Sequence, residues 1–133
     1  KNGFTLTECM VAVVIIGVLS AVAIPPYQKI IETAIYRQTK INLMAIIARG
    51  TQYQIENVKK FLNNGKTLES LTDINTALDI NFLPADQKIV YRAYLENGTK
   101  LIVTARYGTK WSVGITDLPG DKPKCLSGIC PQG

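Results

Sequence analysis

The strongest constraint on this chain is one apolar run, Phe4 to Ile24, broken only by Thr5, Thr7, Glu8, Gly17 and Ser20. As a helix its 21 residues would measure about 31 Å at roughly 1.5 Å per residue. That length matches the ~30 Å hydrocarbon core of a bilayer. One residue looks out of place in it. A carboxylate at mid-bilayer costs about 2.5–3.5 kcal/mol on insertion scales, and less towards the end of a span. Glu8 lies near the end, so the chain tolerates it. Two readings of the acid stay open on physical grounds. Either it snorkels to the interface, or it awaits an amine from a neighbouring copy, met in a water-poor bundle.

Three kinds of segment compete for this run. A cleavable secretory signal would make Lys1 the remnant of a basic region and Ala21-Val22-Ala23 the small-x-small cleavage site. Glu8 argues against it, and Pro25 and Pro26 follow that cut closely. A lipoprotein signal would need a small residue before Cys9, where Glu8 stands. A retained membrane helix, with a task for its acid, is the third.

The rest of the composition narrows the chemistry. The chain has 133 residues, 47% of them hydrophobic and 19% charged, which suits one small domain plus an anchor rather than a disordered chain. It contains no histidine, so Ser-His-Asp and Cys-His catalysis and His-based zinc sites are excluded. Cys125 and Cys130, five apart near Gly128 and Pro131, suit a small structural disulfide in an oxidising compartment. A redox pair would be spaced C-x-x-C at a helix start. Cys9 reads as a small hydrophobe. The net charge of +5 is spread along the chain without a Lys/Arg block, as on a solvated surface.

Pro25 and Pro26 each lack an N–H, leaving the carbonyls of Ala21 and Val22 without helical partners, so a kink is expected there. Gly17 weakens the same stretch by about 1 kcal/mol relative to alanine. Beyond the prolines, Ile41, Met44, Ala48, Thr51, Ile55, Val58 and Leu62 step by three and four as one stripe. "NNG" at 63–65 stops the pattern, so the helix is expected to run from Phe4 to Asn63. Leu68, Leu71, Ile74 and Leu78 fit a short helix closed by Pro84. Ile89, Tyr91, Ala93 and Leu95 alternate against Val90, Arg92 and Tyr94 up to Asn97-Gly98, a two-residue hairpin signal. Leu101, Val103 and Ala105 make a second strand, and after "YGT" Trp111, Val113 and Ile115 make a third. Such a meander cannot bury its face alone, and the striped half of the helix is expected to cover it.

The stretch "GFTLTECMVAVVIIGVLSAVAIPPYQ", residues 3–28, resembles the processing site and N-terminal helix of type IV pilins and type II secretion pseudopilins. Gly3, Phe4, Glu8, Gly17 and Pro25 match that pattern. Thr7, Cys9 and the second proline, Pro26, depart from it. The resemblance implies cleavage by a prepilin peptidase between Gly3 and Phe4, with N-methylation of Phe4. It gives Glu8 a role in assembly, pairing with the N-terminal amine of an adjacent subunit. It implies that the region of Gly17, Pro25 and Pro26 loses helical order in the filament. Within that resemblance the Cys125–Cys130 clasp points toward a pilin, whose C-terminal region is commonly bounded by a disulfide.

The expected fold is α+β, a long N-terminal helix packed by its second half on a three-stranded antiparallel meander. The expected segments are a leader remnant (1–3), a membrane and filament-core helix (4–24), its amphipathic continuation (25–64), a connecting loop (65–87), the sheet (88–116) and a C-terminal loop (117–133). The expected function is that of a structural pilus subunit rather than an enzyme, with no cofactor and no metal. Its partners would be copies of itself or related pilins, the prepilin peptidase and the inner-membrane assembly machinery. It would sit in the inner membrane before assembly and in the extracellular pilus afterwards. The alternatives are a secretion pseudopilin, a DNA-uptake minor pilin using Arg92, Lys100, Arg106, Lys110, Lys122 and Lys124, and a secreted binding domain with a cleaved signal. Asp117 and Asp121 flank "LPG" but are thin for calcium, and Asn97-Gly98-Thr99 fits a glycosylation sequon that a turn already explains.

Overall fold

A computed structural model of the chain describes residues 3–49, 56–57, 59–60, 62, 65 and 67–132. Helix α1 spans Leu6–Arg49 and α2 Leu71–Leu78. The strands are β1 (Ile89–Glu96), β2 (Lys100–Tyr107), β3 (Trp111–Thr116) and β4 (Lys124–Gly128). The chain divides into two compact units, Lys1–Ala34 and Ile35–Gly133, with α1 contributing to both. In the first unit every side chain from Gly3 to Ile24 is exposed.

The second unit is an α+β layer pair. Its sheet is antiparallel in the order β1-β2-β3-β4, four strands where three were expected. The added strand lies inside the segment 117–133 anticipated as loop. Ser127 pairs with Ser112 and Cys125 with Val113, and the register shift between them marks a bulge at Leu126. The bulge lays the Leu126 side chain over Gly114, where an added Cβ would meet Leu126 Cδ1 at 2.7 Å. All five residues of β4 are exposed, so the strand is held by its ladder and not by burial.

The first hairpin also departs from expectation. Glu96 pairs with Lys100, leaving Asn97, Gly98 and Thr99 in the turn rather than two residues. Asn97 and Gly98 have positive φ of 54° and 70°, as an Asn-Gly turn favours. The third residue is required by the pattern. With it Ala93 faces Val103 and Tyr91 faces Ala105. A two-residue turn would bring Ile102 and Thr104 opposite them and turn Leu101, Val103 and Ala105 to solvent. Burial of the apolar face outweighs the dipeptide's turn preference.

The helical face on the sheet is a third correction. Tyr36, Thr39, Asn42, Leu43 and Ile46 are buried, whereas Ile41 is 53% and Met44 40% exposed and Ala48 is exposed too. Leu43 and Ile41 are two residues apart, about 200° around a helix of 3.6 residues per turn, so the expected stripe points away from the sheet. The buried face wins because it brings specific partners. Tyr36 meets Trp111 edge-on with ring centroids 5.0 Å apart. Asn42 donates to the Leu83 carbonyl at 3.1 Å and to the Tyr91 hydroxyl at 3.4 Å. Thr39 donates to the Ile35 carbonyl. Of the remaining stripe, Leu62 is buried. Thr51, Ile55, Val58 and Asn63 lie outside the described residues, as does the join that a single helix to Asn63 requires.

Helix α2 starts at Ser70, whose hydroxyl accepts from the Asp73 amide, and buries Ile74 and Leu78. It ends at Asp79, in the left-handed conformation with φ 52°, well before Pro84. The Asn75 side chain then ties the following segment down by donating to the Phe82 carbonyl and accepting from its amide.

Candidate assembly site

The N-terminal residues carry the features that the fold does not use. Gly3, Phe4 and Thr5 precede the helix and are exposed. Helix α1 begins at Leu6 with Thr5 as its cap. The Glu8 amide donates to Thr5 Oγ1 at 3.3 Å, while Glu8 Oε2 accepts from the Thr5 amide at 2.8 Å and from the Thr5 hydroxyl at 2.9 Å. This reciprocal arrangement is a capping box, which satisfies amides that the first helical turn leaves without partners. Thr7 joins it, its hydroxyl lying 3.1 Å from that of Thr5. The same signal lies in the sequence as Thr5-x-x-Glu8. Within its own chain Glu8 is thus already hydrogen-bonded.

Helix α1 from Leu6 to Ala48 is the only candidate membrane span among the described residues, long and apolar enough by length and composition. Isolated exposed apolar residues are ordinary on a protein surface, but a contiguous run of this extent marks a surface meant for another protein or a membrane. Cys9 is free and exposed. Gly17 has open space where a Cβ would stand. The helix assignment passes through Pro25 and Pro26 without interruption.

The other candidates lie in the second unit. Cys125 and Cys130 form a disulfide with Cα atoms 6.2 Å apart, and Cys130 packs against the core. Asp117 is paired with Lys59 at 2.6 Å and accepts from the Leu101 amide. Asp121 accepts from the amide and hydroxyl of Thr116 and pairs with Lys124 at 2.9 Å. The Thr116 hydroxyl and then Lys124 hold its carboxyl well below the usual carboxylate range. Both acids therefore serve as local ties, and no group of three metal-ligating side chains occurs among the described residues.

Of the six basic residues a DNA-binding role would use, three are in ion pairs with other described residues. Arg92 pairs with Glu69, Lys100 with Glu96 and Lys124 with Asp121. Arg106 donates from Nε to the Gly108 carbonyl, and Lys110 lies over the Tyr107 ring at 5.6 Å. The carbonyl and ring contacts of Arg106 and Lys110 do not neutralise their charges, and exposed ion pairs such as Arg92–Glu69 are weak.

Comparison with known proteins extends the picture. Residues 1–24 match the family model of the prokaryotic N-terminal methylation motif. A type IV major pilin protein PilE1 of Neisseria gonorrhoeae is 33% identical over 107 residues, which cover 79% of this chain and 52% of that protein. A second PilE1 from the same organism is 32% identical over 79% of this chain and 56% of its own length. The chain thus spans about half the length of the curated relatives it matches. No solved structure matches it. Residues 1–24 thus carry the methylation motif, and over most of its own length the chain, with its long N-terminal helix and antiparallel sheet, is similar to type IV major pilins.

Proposed function

We propose that the chain is a structural subunit of a type IV pilus, cut between Gly3 and Phe4, methylated at Phe4 and polymerised through its N-terminal helix. The observation that carries this reading is the run from Phe4 to Ile24, exposed throughout yet apolar enough to span a bilayer. Held in the inner membrane before assembly, it would exchange lipid for neighbouring copies in the filament. Within the second unit Ile41 and Met44 are exposed on the helix face turned away from the sheet, and neighbouring subunits would cover them too. The prepilin peptidase and the inner-membrane assembly machinery are the partners that this route requires, and the second unit would face the periplasm and later the outside.

Glu8 is assigned to assembly. Its Oε2 is engaged by Thr5, and Oε1 remains to accept the amine that cleavage creates on Phe4 of the next subunit. A charge-assisted contact in a water-poor bundle offsets the acid's insertion cost. Gly17, Pro25 and Pro26 are assigned to a helix segment that yields within the fibre, since each weakens helical order there.

Glu8→Gln separates the two roles of the acid. Glutamine keeps the capping geometry but not the charge. The variant should be cut after Gly3 as efficiently as the parent, with unchanged helix content, and yet fail to form filaments. Normal filaments from it would remove the assembly role and leave Glu8 as a cap alone.

A further inference from the structure

The hairpin turn holds a group that neither the fold nor the proposed assembly uses. Asn97 is exposed at the tip, with no hydrogen bond from its carboxamide among the described residues. Gly98 follows it with open space where a Cβ would stand. The backbone bond that closes the turn runs from the Thr99 amide to the Glu96 carbonyl at 3.3 Å, so the Gly98 amide is not part of the ladder. We propose that Asn97-Gly98 is a site of spontaneous covalent modification, a deamidation whose only co-reactant is water.

The chemistry follows from the neighbours. The Gly98 nitrogen, losing its proton to solvent, attacks Asn97 Cγ. A new C–N bond closes a five-membered succinimide, and the Cγ–Nδ2 bond breaks, releasing ammonia. Water then opens the ring at either carbonyl, giving aspartate or isoaspartate with no change of oxidation state. Glycine permits the attack because nothing on its Cα blocks the approaching carboxamide, whereas a β-carbon at that position would crowd it.

The two products differ in consequence. Aspartate tolerates the positive φ of Asn97 and leaves the hairpin intact, adding a carboxylate beside the cleft lined by Glu56, Lys59, Lys60, Gly98 and Thr99. Isoaspartate inserts a methylene into the main chain of a turn whose residue count decides which face of β2 points inward. That form should therefore loosen the Glu96–Lys100 end of the hairpin. A subunit that persists outside the cell would record its age at this tip.

The test is to hold the full-length chain in detergent at mildly alkaline pH and follow the tryptic peptide of residues 93–100, which contains a single asparagine. The expected result is a growing fraction carrying the amide-to-acid mass shift, part of it recognised by an isoaspartyl methyltransferase. Conversion should outpace that of Asn75 and Asn81, which are not followed by glycine. Thr99→Ala, which destroys the sequon, should leave the shift unchanged. The proposal is overturned if the folded chain keeps its amide over a period in which the free synthetic 93–100 peptide converts. It is equally overturned if Asn97 from native filaments carries a glycan, which would consume the nitrogen that must leave.

Discussion

Replacing Leu43 and Met44 in turn by alanine tests which face of α1 the sheet holds. The two residues are adjacent and similar in size and helix propensity, so local helix effects nearly cancel between them. Leu43 is completely buried and Met44 is 40% exposed. Leu→Ala removes three carbons, about 2.4 kcal/mol at roughly 0.8 kcal/mol per buried methylene. The cavity that remains raises the total to about 3–4 kcal/mol, within the range for Leu→Ala in well-packed cores. Met44→Ala should cost under about 1 kcal/mol, as for a largely solvent-facing position. Urea unfolding of the 35–133 unit, followed by the single Trp111, buried beside Tyr36, reads both. At a slope of about 1–3 kcal/mol per molar for small domains, the midpoints should differ by roughly 1–3 M. Equal costs, or a larger one for Met44, would refute the orientation assigned here and restore the Ile41–Met44–Ala48 stripe to the core.

Two further outcomes follow from the C-terminal segment. Replacing Cys125 and Cys130 together by serine should cost about 2 kcal/mol, the chain-entropy value for so short a loop, seen as a lower unfolding midpoint that reducing agent does not lower further. Asp121 gives a pH test. Its carboxyl is held below its unfolded value by Thr116 and Lys124. The stabilisation it contributes is therefore complete above the ordinary aspartate pKa of about 3.9 and lost as pH falls from there through the folded value. Urea midpoints of the parent and Asp121→Asn should differ at neutral pH and converge as pH drops below about 4. A gap that stays constant across that window would show that the carboxylate's charge is not what matters.

What the sequence revealed followed physical pattern strength. The anchor was legible because the apolar run is long enough to span a bilayer, and β1 to β3 because apolar residues recur at every second position within each strand. The helix face was not. The buried stripe on α1 is the less apolar of the two, for it includes Thr39 and Asn42, polar residues whose partners at Ile35, Leu83 and Tyr91 no periodicity can show. Strand β4 was missed because it buries none of its side chains and so leaves no alternation to read. The turn was short by one residue because the Asn-Gly preference is local, while the register that overrides it depends on residues of the partner strand. At the candidate site, Glu8 stands out in the sequence as the one acid of the apolar run, whereas its contact with Thr5 is a local capping geometry that the search for a partner outside the chain does not reveal.

The central claim is that this chain is cut before Phe4 and enters a filament by the helix so released. The most direct measurement is the N-terminal sequence and mass of the chain recovered from sheared surface filaments. The account predicts one N-terminus, N-methylated Phe4, with the whole run to Ile24 retained. A chain beginning at Ile24, or one still carrying Gly3, would contradict it.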